Sequence, residues 1–273
     1  MTTTAPSALR VRPRIWIGLV IWLAYLVLVF AVQSASGIPY QEWGDSAGNL
    51  FFGGGVSLIV ATVLLAITTS LLGWWRPALF DRERSRHRWP IVVPILVVVA
   101  AGMNLAGTDW ASYSGAFLAA SVVLLLVGFT EELVNRGLLI VALRSRLHEG
   151  WVWFISSALF GLGHYINVLL GAPAGDTTIQ VFAAFLGGTA FYIFRRTTGS
   201  LIWAMALHGL WDFSVFATGV GHAGDITAIA NVVYLFTGFL GLAFVAFVIR
   251  GSKERADVAT APSTGGSASI PAE

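Results

Sequence analysis

Apolar runs long enough to cross a hydrocarbon core of ~30 Å, which takes about 20 helical residues, recur along almost the whole chain. They lie near residues 15 to 32, 49 to 73, 90 to 106, 113 to 143, 151 to 170, 178 to 194, 200 to 218 and 228 to 249. The pattern predicts an all-α protein, a polytopic transmembrane bundle of about eight helices. The first run follows three arginines and imitates a signal peptide. At about 18 residues it exceeds the usual h-region, so the expectation is a retained helix.

Composition sharpens this reading. Of the 273 residues, 56% are hydrophobic and 11% are charged, where a soluble domain would carry roughly a quarter charged. The chain reads as an integral, multi-pass membrane protein, with the lipid bilayer as its first partner and the cell membrane as the expected location. It has no cysteine, which excludes disulfides and thiolate chemistry. Its basic residues sit in short clusters between apolar runs, which membrane topology explains and a nucleic-acid partner does not.

Eight spans place all 16 Lys and Arg on one side or on the way to it, whereas Glu42, Asp45, Asp109, Asp176 and Asp225 occupy the opposite loops. Both termini are therefore expected in the cytoplasm. The expected organisation is a cytoplasmic segment at 1–14, a transmembrane domain at 15–250 and a disordered cytoplasmic tail at 251–273, rich in Ala, Ser, Gly and Pro toward its end. Gly53, Gly54, Gly55 and Ser57 read as a small-residue face for helix packing. Trp16, Trp74, Trp75, Trp89, Trp110 and Trp151 read as an interfacial belt.

Few ionisable residues remain inside the spans: Glu131, Glu132 and Arg136 in the fourth, His164 in the fifth, and His208 with Asp212 in the seventh. Ionised groups at membrane depth are costly and mark functional sites. Glu132 and Arg136 are four apart, so they share a helix face and neutralise each other. Glu131 is turned ~100° away and is the carboxylate left for chemistry. His208 and Asp212 repeat the spacing, as do Phe160 and His164. With a rise of ~1.5 Å per residue, Glu131 and His164 lie ~20 Å and His208 ~14 Å from the cytoplasmic helix ends, so one layer can hold them. The fourth run is too long for a straight crossing, which predicts tilt or a break near Gly128. Each feature also has a plain structural reading: an ion pair, a hydrogen-bonded core histidine, an interhelical knot. Three at matched depth point to a site.

A carboxylate, two histidines and a second carboxylate around a wet cavity can hydrolyse an amide, with the carboxylate as general base toward water and imidazole donating to the oxyanion. The alternative is a zinc site of His164, His208 and Glu131 with an open position for water, although the usual zinc-protease helix with two histidines four apart is absent. A proton-coupled transporter using Glu131 and Asp212, and a catalytically silent membrane scaffold, are the readings outside protease chemistry.

Glu131-Glu132-Leu-Val-Asn-Arg136, then Phe160-Gly-Leu-Gly-His164, then His208-Gly-Leu-Trp-Asp212 resemble, in order, three motifs: Glu-Glu-x-x-x-Arg, Phe-x-x-x-His and His-x-x-x-Asn/Asp. These belong to the CAAX-processing and bacteriocin-processing (CPBP, or Abi) intramembrane endopeptidases, which include the type II CAAX prenyl proteases. The resemblance covers about residues 115 to 215. It implies that Glu131 activates water with help from His164, that His208 and the residue at 212 stabilise the oxyanion, and that Glu132, Arg136 and Phe160 shape the site. It implies a peptide or protein substrate, prenylated or membrane-anchored. No cofactor is expected, with zinc the alternative, because members have been described both as metalloproteases and as glutamate proteases. The prenyl-protein branch typically has Asn where this chain has Asp212. An ionised Asp cannot donate to an oxyanion, so Asp212 is either protonated or orients His208.

Overall fold

The computed structural model describes residues 9–252 and residue 254. Among the described residues eight long helices form a bundle, with a short helical turn at Trp75–Leu79 between the second and third: α1 (Ile15–Ser36), α2 (Ala47–Leu72), α3 (Trp89–Gly107), α4 (Gly115–Leu143), α5 (Glu149–Leu169), α6 (Ala174–Thr198), α7 (Ile202–Thr218) and α8 (Ile226–Ile249). Seven of them are long and apolar enough to cross a membrane; α7, at 17 residues, is the shorter one and carries His208 and Asp212. The protein is an integral, multi-pass membrane protein. Among the described residues there is no β-strand, only a single bridge between Phe80 and Ser200.

The helices pack as a bundle because each keeps one stripe for its neighbours and turns the rest to lipid. In α1 only Gly18, Tyr25, Val29 and Gln33 are buried, while Trp16, Val20, Leu23 and Val27 face outward. That is the inverse of a soluble helix and needs no water on the outside. The main core lies between α3, α6, α7 and α8, around Val93, Val97, Phe191, Tyr192, Leu207 and Val245. A second core joins α1, α2 and α4 through Tyr25, Leu65, Leu133 and Leu138.

The fourth helix is broken one turn before Gly128, near the expected place. The irregular turn lies at Leu124–Leu125, where amides of Leu124 and Leu125 reach back three residues to Ser121 and Val122. The Ser121 hydroxyl donates to the Phe117 carbonyl one turn earlier, a side-chain bond that bends helices. Gly128 serves another purpose: a Cβ there would collide with the Met205 carbonyl and the Gly209 amide of α7. From Leu133 to Leu138 the helix widens into a π turn.

Other expectations shift. Gly53 and Gly54 form a notch that receives the indole of Trp43, from the α1–α2 loop, while Gly55 faces Val123 of α4 as a helix-packing glycine would. Trp74 is no belt residue: it is fully buried and donates its Nε1–H to the Val11 carbonyl at 2.7 Å. Trp16, Trp89, Trp110 and Trp151 are exposed near helix ends.

Several charges assigned to loops are buried instead. At one end of the bundle Asp81 accepts from Arg144 and Arg195 at 2.9 Å each and from Arg196. Arg144 also pairs with Glu149 at 2.5 Å. Burial alone would raise the Asp81 carboxyl, but the three guanidinium groups outweigh it and hold it far below the usual carboxylate range. The expected tail begins inside this knot, with Ser252 accepting from Arg196 at 3.1 Å and Glu254 accepting from the Glu83 amide at 2.6 Å. Lys253, residues 255–273 and residues 1–8 lie outside the described residues.

Candidate active site

The close approach of α4 and α7 builds the centre of the site. Gly128 against Met205 and Gly209, and Gly209 against the Leu125 carbonyl, let two backbones meet where side chains would hold them apart. That contact brings the next turn of α4 beside His208 of α7. His208 Nδ1 lies 2.9 Å from Glu132 Oε1, and its Nε2 lies 3.8 Å from Glu131 Oε2 and 3.5 Å from Asp212 Oδ2. One imidazole thus faces three carboxylates.

The two glutamates differ in surroundings as their rotation about the helix predicts. Glu132 is fully enclosed and pairs with Arg136 at 3.2 Å, across the start of the π turn. Glu131 keeps 21% of its side chain exposed and Asp212 keeps 40%. Both line a cavity of ≈ 680 Å³, together with His164, His208, Phe160 and Asn135. The remaining wall is largely aromatic and aliphatic, including Trp22 and Tyr25 of α1 and Trp211 of α7.

Phe160 is the partition of the site. The Arg136 guanidinium carbon sits 3.8 Å above its ring centroid, a cation–π contact inside the bundle. Its edge meets both imidazoles, with centroids 5.1 Å from His164 and 5.5 Å from His208. Room for Arg136 comes from Gly188 of α6, where a Cβ would crowd its Nη2 at 2.8 Å. Arg195 of α6 donates to the Arg136 carbonyl of the π turn and, at 2.7 Å, to the Ala78 carbonyl of the short helical turn at Trp75–Leu79.

Hydrogen bonding fixes the histidine tautomers. His164 Nδ1 lies 2.9 Å from the Phe160 carbonyl, which can only accept, so Nδ1 carries the hydrogen and Nε2 is an acceptor in the neutral ring. His208 Nδ1 likewise donates to the Glu132 carboxylate, leaving Nε2 to donate in the imidazolium form.

The structure brings Glu131, Glu132, Arg136, Phe160, His208 and Asp212 into one contact network and sets His164 on the same cavity across Phe160. Among the described residues no group of three or more His, Asp or Glu side chains has the arrangement of a metal-ligand cluster. Phe191, stacked on His208 at 4.7 Å and 18°, has no signal in the sequence beyond its apolar character. Tyr25, whose hydroxyl meets Thr130 at 3.3 Å, comes from a helix with no motif at all. The paired Gly187 and Gly188 were the available clue to the crowding around Arg136.

No curated protein matches the chain's sequence. Residues 113–214 match the family described as type II CAAX prenyl endopeptidase Rce1-like. That stretch begins just before α4 and ends within α7, taking in every polar side chain of the contact network and leaving out α1, α2, α3 and α8. The segment that builds this site is thus the part of the chain that resembles the type II CAAX prenyl endopeptidase Rce1-like family.

Proposed function

We propose that the protein is an intramembrane endopeptidase in which Glu131 activates the attacking water. The observation that supports this most is the pairing of a cavity-facing Glu131 with a His208 whose far nitrogen is anchored on the enclosed Glu132. The Glu131 carboxylate takes a proton as the water oxygen bonds to the scissile carbonyl carbon. His208 Nε2–H, in the imidazolium form, donates to the oxygen on which negative charge develops. When the tetrahedral intermediate collapses, the carbon–nitrogen bond breaks and the departing amine takes the proton held by Glu131. His164 Nε2, an acceptor in the neutral ring, holds the water from the far side of Phe160.

Asp212 fits the orienting role and not that of an oxyanion donor. Its carboxylate lies 3.5 Å from the same Nε2 and stabilises the imidazolium by its charge, while Glu132 on Nδ1 holds the position that the carboxylate occupies in a Ser-His-Asp triad. Glu132, Arg136 and Phe160 form the frame that holds His208 in place.

The reading is tested by incubating the purified protein in detergent with a quenched fluorescent peptide library, prenylated peptides included, for wild type, Glu131→Ala and His208→Ala, with and without a chelator. Cleavage by wild type that persists under chelator and is lost in both variants is the expected result. Cleavage abolished by chelator and restored by zinc would replace the glutamate-activated water with a metal-activated one. No cleavage by any of the three would remove the protease reading.

A further inference from the structure

Between α2 and α3 the chain carries an arginine at every second position, Arg82, Arg84, Arg86 and Arg88, and then Trp89. The proposed chemistry uses none of them. Ser85 pins this segment to the end of the bundle: its amide donates to the Arg196 carbonyl at 2.8 Å and its buried hydroxyl to the Val248 carbonyl at 3.1 Å. The arginines on either side of it stand out from the surface. Arg84, Arg86, Arg88 and Arg250 are all exposed, and among the described residues no hydrogen bond or ion pair engages their side chains.

Their charge is surplus. In the adjoining knot three guanidinium groups, Arg144, Arg195 and Arg196, meet three carboxylates, Asp81, Glu149 and Glu254. Outside the knot, the described part of this segment and of the α8 end offers those four arginines one exposed carboxylate, Glu83, with His87 beside it. Nor are the four needed to close the helix ends. Gly199, in the left-handed conformation, ends α6, and Ser85 takes the Val248 carbonyl near the end of α8.

Arg84, Arg86 and Arg250, with the buried Arg196, Ser85 and Ser252, line a notch of ≈ 10 Å³, and Glu83 sits on the same wall. That volume holds about one oxygen atom, so it takes the edge of an oxyanion whose remainder stays at the surface. Toward the bilayer the surface turns aromatic. Trp89, 46% exposed, packs against Phe244 and Phe247 with centroids at 4.5 and 5.2 Å, and His87 meets Phe247 at 6.2 Å. Exposed indoles at helix ends lie at headgroup level in a membrane.

We propose that this end of the bundle seats the headgroup of an anionic phospholipid, its phosphate on Arg84, Arg86 and Arg250 and its acyl chains beside Trp89 and Phe247. Guanidinium forks match phosphate oxygens, and the aromatic shelf below them matches the glycerol and acyl region. A zwitterionic headgroup would return a cation to a surface that already has too many. The site lies apart from the catalytic cavity and does not depend on the protease reading.

The test measures the thermal unfolding midpoint of the full-length protein in detergent with added phosphatidylglycerol, phosphatidylcholine of the same acyl chains, or sn-glycerol 3-phosphate. Wild type is compared with Arg86→Gln/Arg250→Gln and with Arg12→Gln/Arg76→Gln, which removes two exposed arginines elsewhere on the basic side. Phosphatidylglycerol is expected to raise the wild-type midpoint above the phosphatidylcholine value by about 3 °C. The first variant should lose most of that gain and the second should keep it. Equal midpoints with the two lipids, or an equal loss in both variants, overturns the site and leaves only diffuse charge attraction. A full gain with glycerol phosphate overturns the lipid as its occupant. Should Arg86→Gln/Arg250→Gln unfold early even with phosphatidylcholine, native mass spectrometry of wild type in an equimolar lipid mixture decides. Preferential retention of one phosphatidylglycerol supports the proposal, and equal retention of both lipids overturns it.

Discussion

Glu131 and Glu132 are neighbours in sequence with opposite surroundings, and substitution should separate the tasks proposed for them. Glu131 is open to the cavity and has no guanidinium to neutralise, so Glu131→Gln is expected to keep the fold and lose activity. Glu132 is enclosed between Arg136 and His208, so Glu132→Gln leaves a buried guanidinium without its counter-charge. Breaking such a pair from one side costs about 3–5 kcal/mol, and the thermal unfolding midpoint in detergent should fall for Glu132→Gln and stay near wild type for Glu131→Gln. Phe160 holds the other face of Arg136 at 3.8 Å. Replacing it by Leu removes a desolvated cation–π contact, and a loss of about 2 kcal/mol is expected in the same unfolding measurement.

At the scale of elements, the site depends on how closely α4 and α7 approach. Gly128→Ala places a methyl group against the Met205 carbonyl and the Gly209 amide, which are backbone and cannot swing aside. Overpacking of this kind typically costs about 1–3 kcal/mol. Because the displaced helix carries His208, kcat should fall in the variant even at temperatures where it remains folded, which a turnover assay beside an unfolding curve would separate. The helices themselves were legible in the chain, since runs of apolar residues of spanning length have few alternatives in lipid. So was the difference in surroundings between Glu131 and Glu132, which follows from helical rotation. The π turn after Glu132 was not. The π turn is contacted from outside its own helix by Arg195, 59 residues away in sequence, which donates to the Arg136 carbonyl, and such a partner is invisible in the local sequence. Trp43 in its glycine notch was illegible for a similar reason: small residues reveal a close approach but not which partner makes it.

Across the whole molecule, buried charge is gathered at two levels: the site, and the knot of Asp81, Arg144, Glu149, Arg195 and Arg196 at one end of the bundle. The sequence displayed those arginines as topology markers, and their burial depends on Asp81 being carried in by the loop that bridges Phe80 to Ser200. The Asp81 carboxyl titrates far lower in the folded protein than its unfolded value of about 3.9. It therefore contributes stability that is complete above that value and is lost as pH falls toward the folded one. Unfolding midpoints should drop between pH 5 and pH 3 in wild type, by an amount that shrinks in Asp81→Asn, whose midpoint at pH 7 is already lower. The charge pattern also sets orientation. In a chain without native cysteine, Asp45→Cys should react with an impermeant thiol reagent from outside the cell, and Arg86→Cys only after permeabilisation. The reverse pattern would invert the bundle.

The most direct measurement is the single-turnover hydrolysis rate of a cleavable peptide by wild type and by Glu131→Gln, with peptide affinity measured in parallel. Loss of a general base lowers the rate by about 10²–10⁴-fold. A fall of that size with affinity unchanged within about threefold is the predicted result, because the side chain keeps its shape and loses only its capacity to take a proton. A Glu131→Gln rate within a few-fold of wild type would contradict the account and move the chemistry to another group.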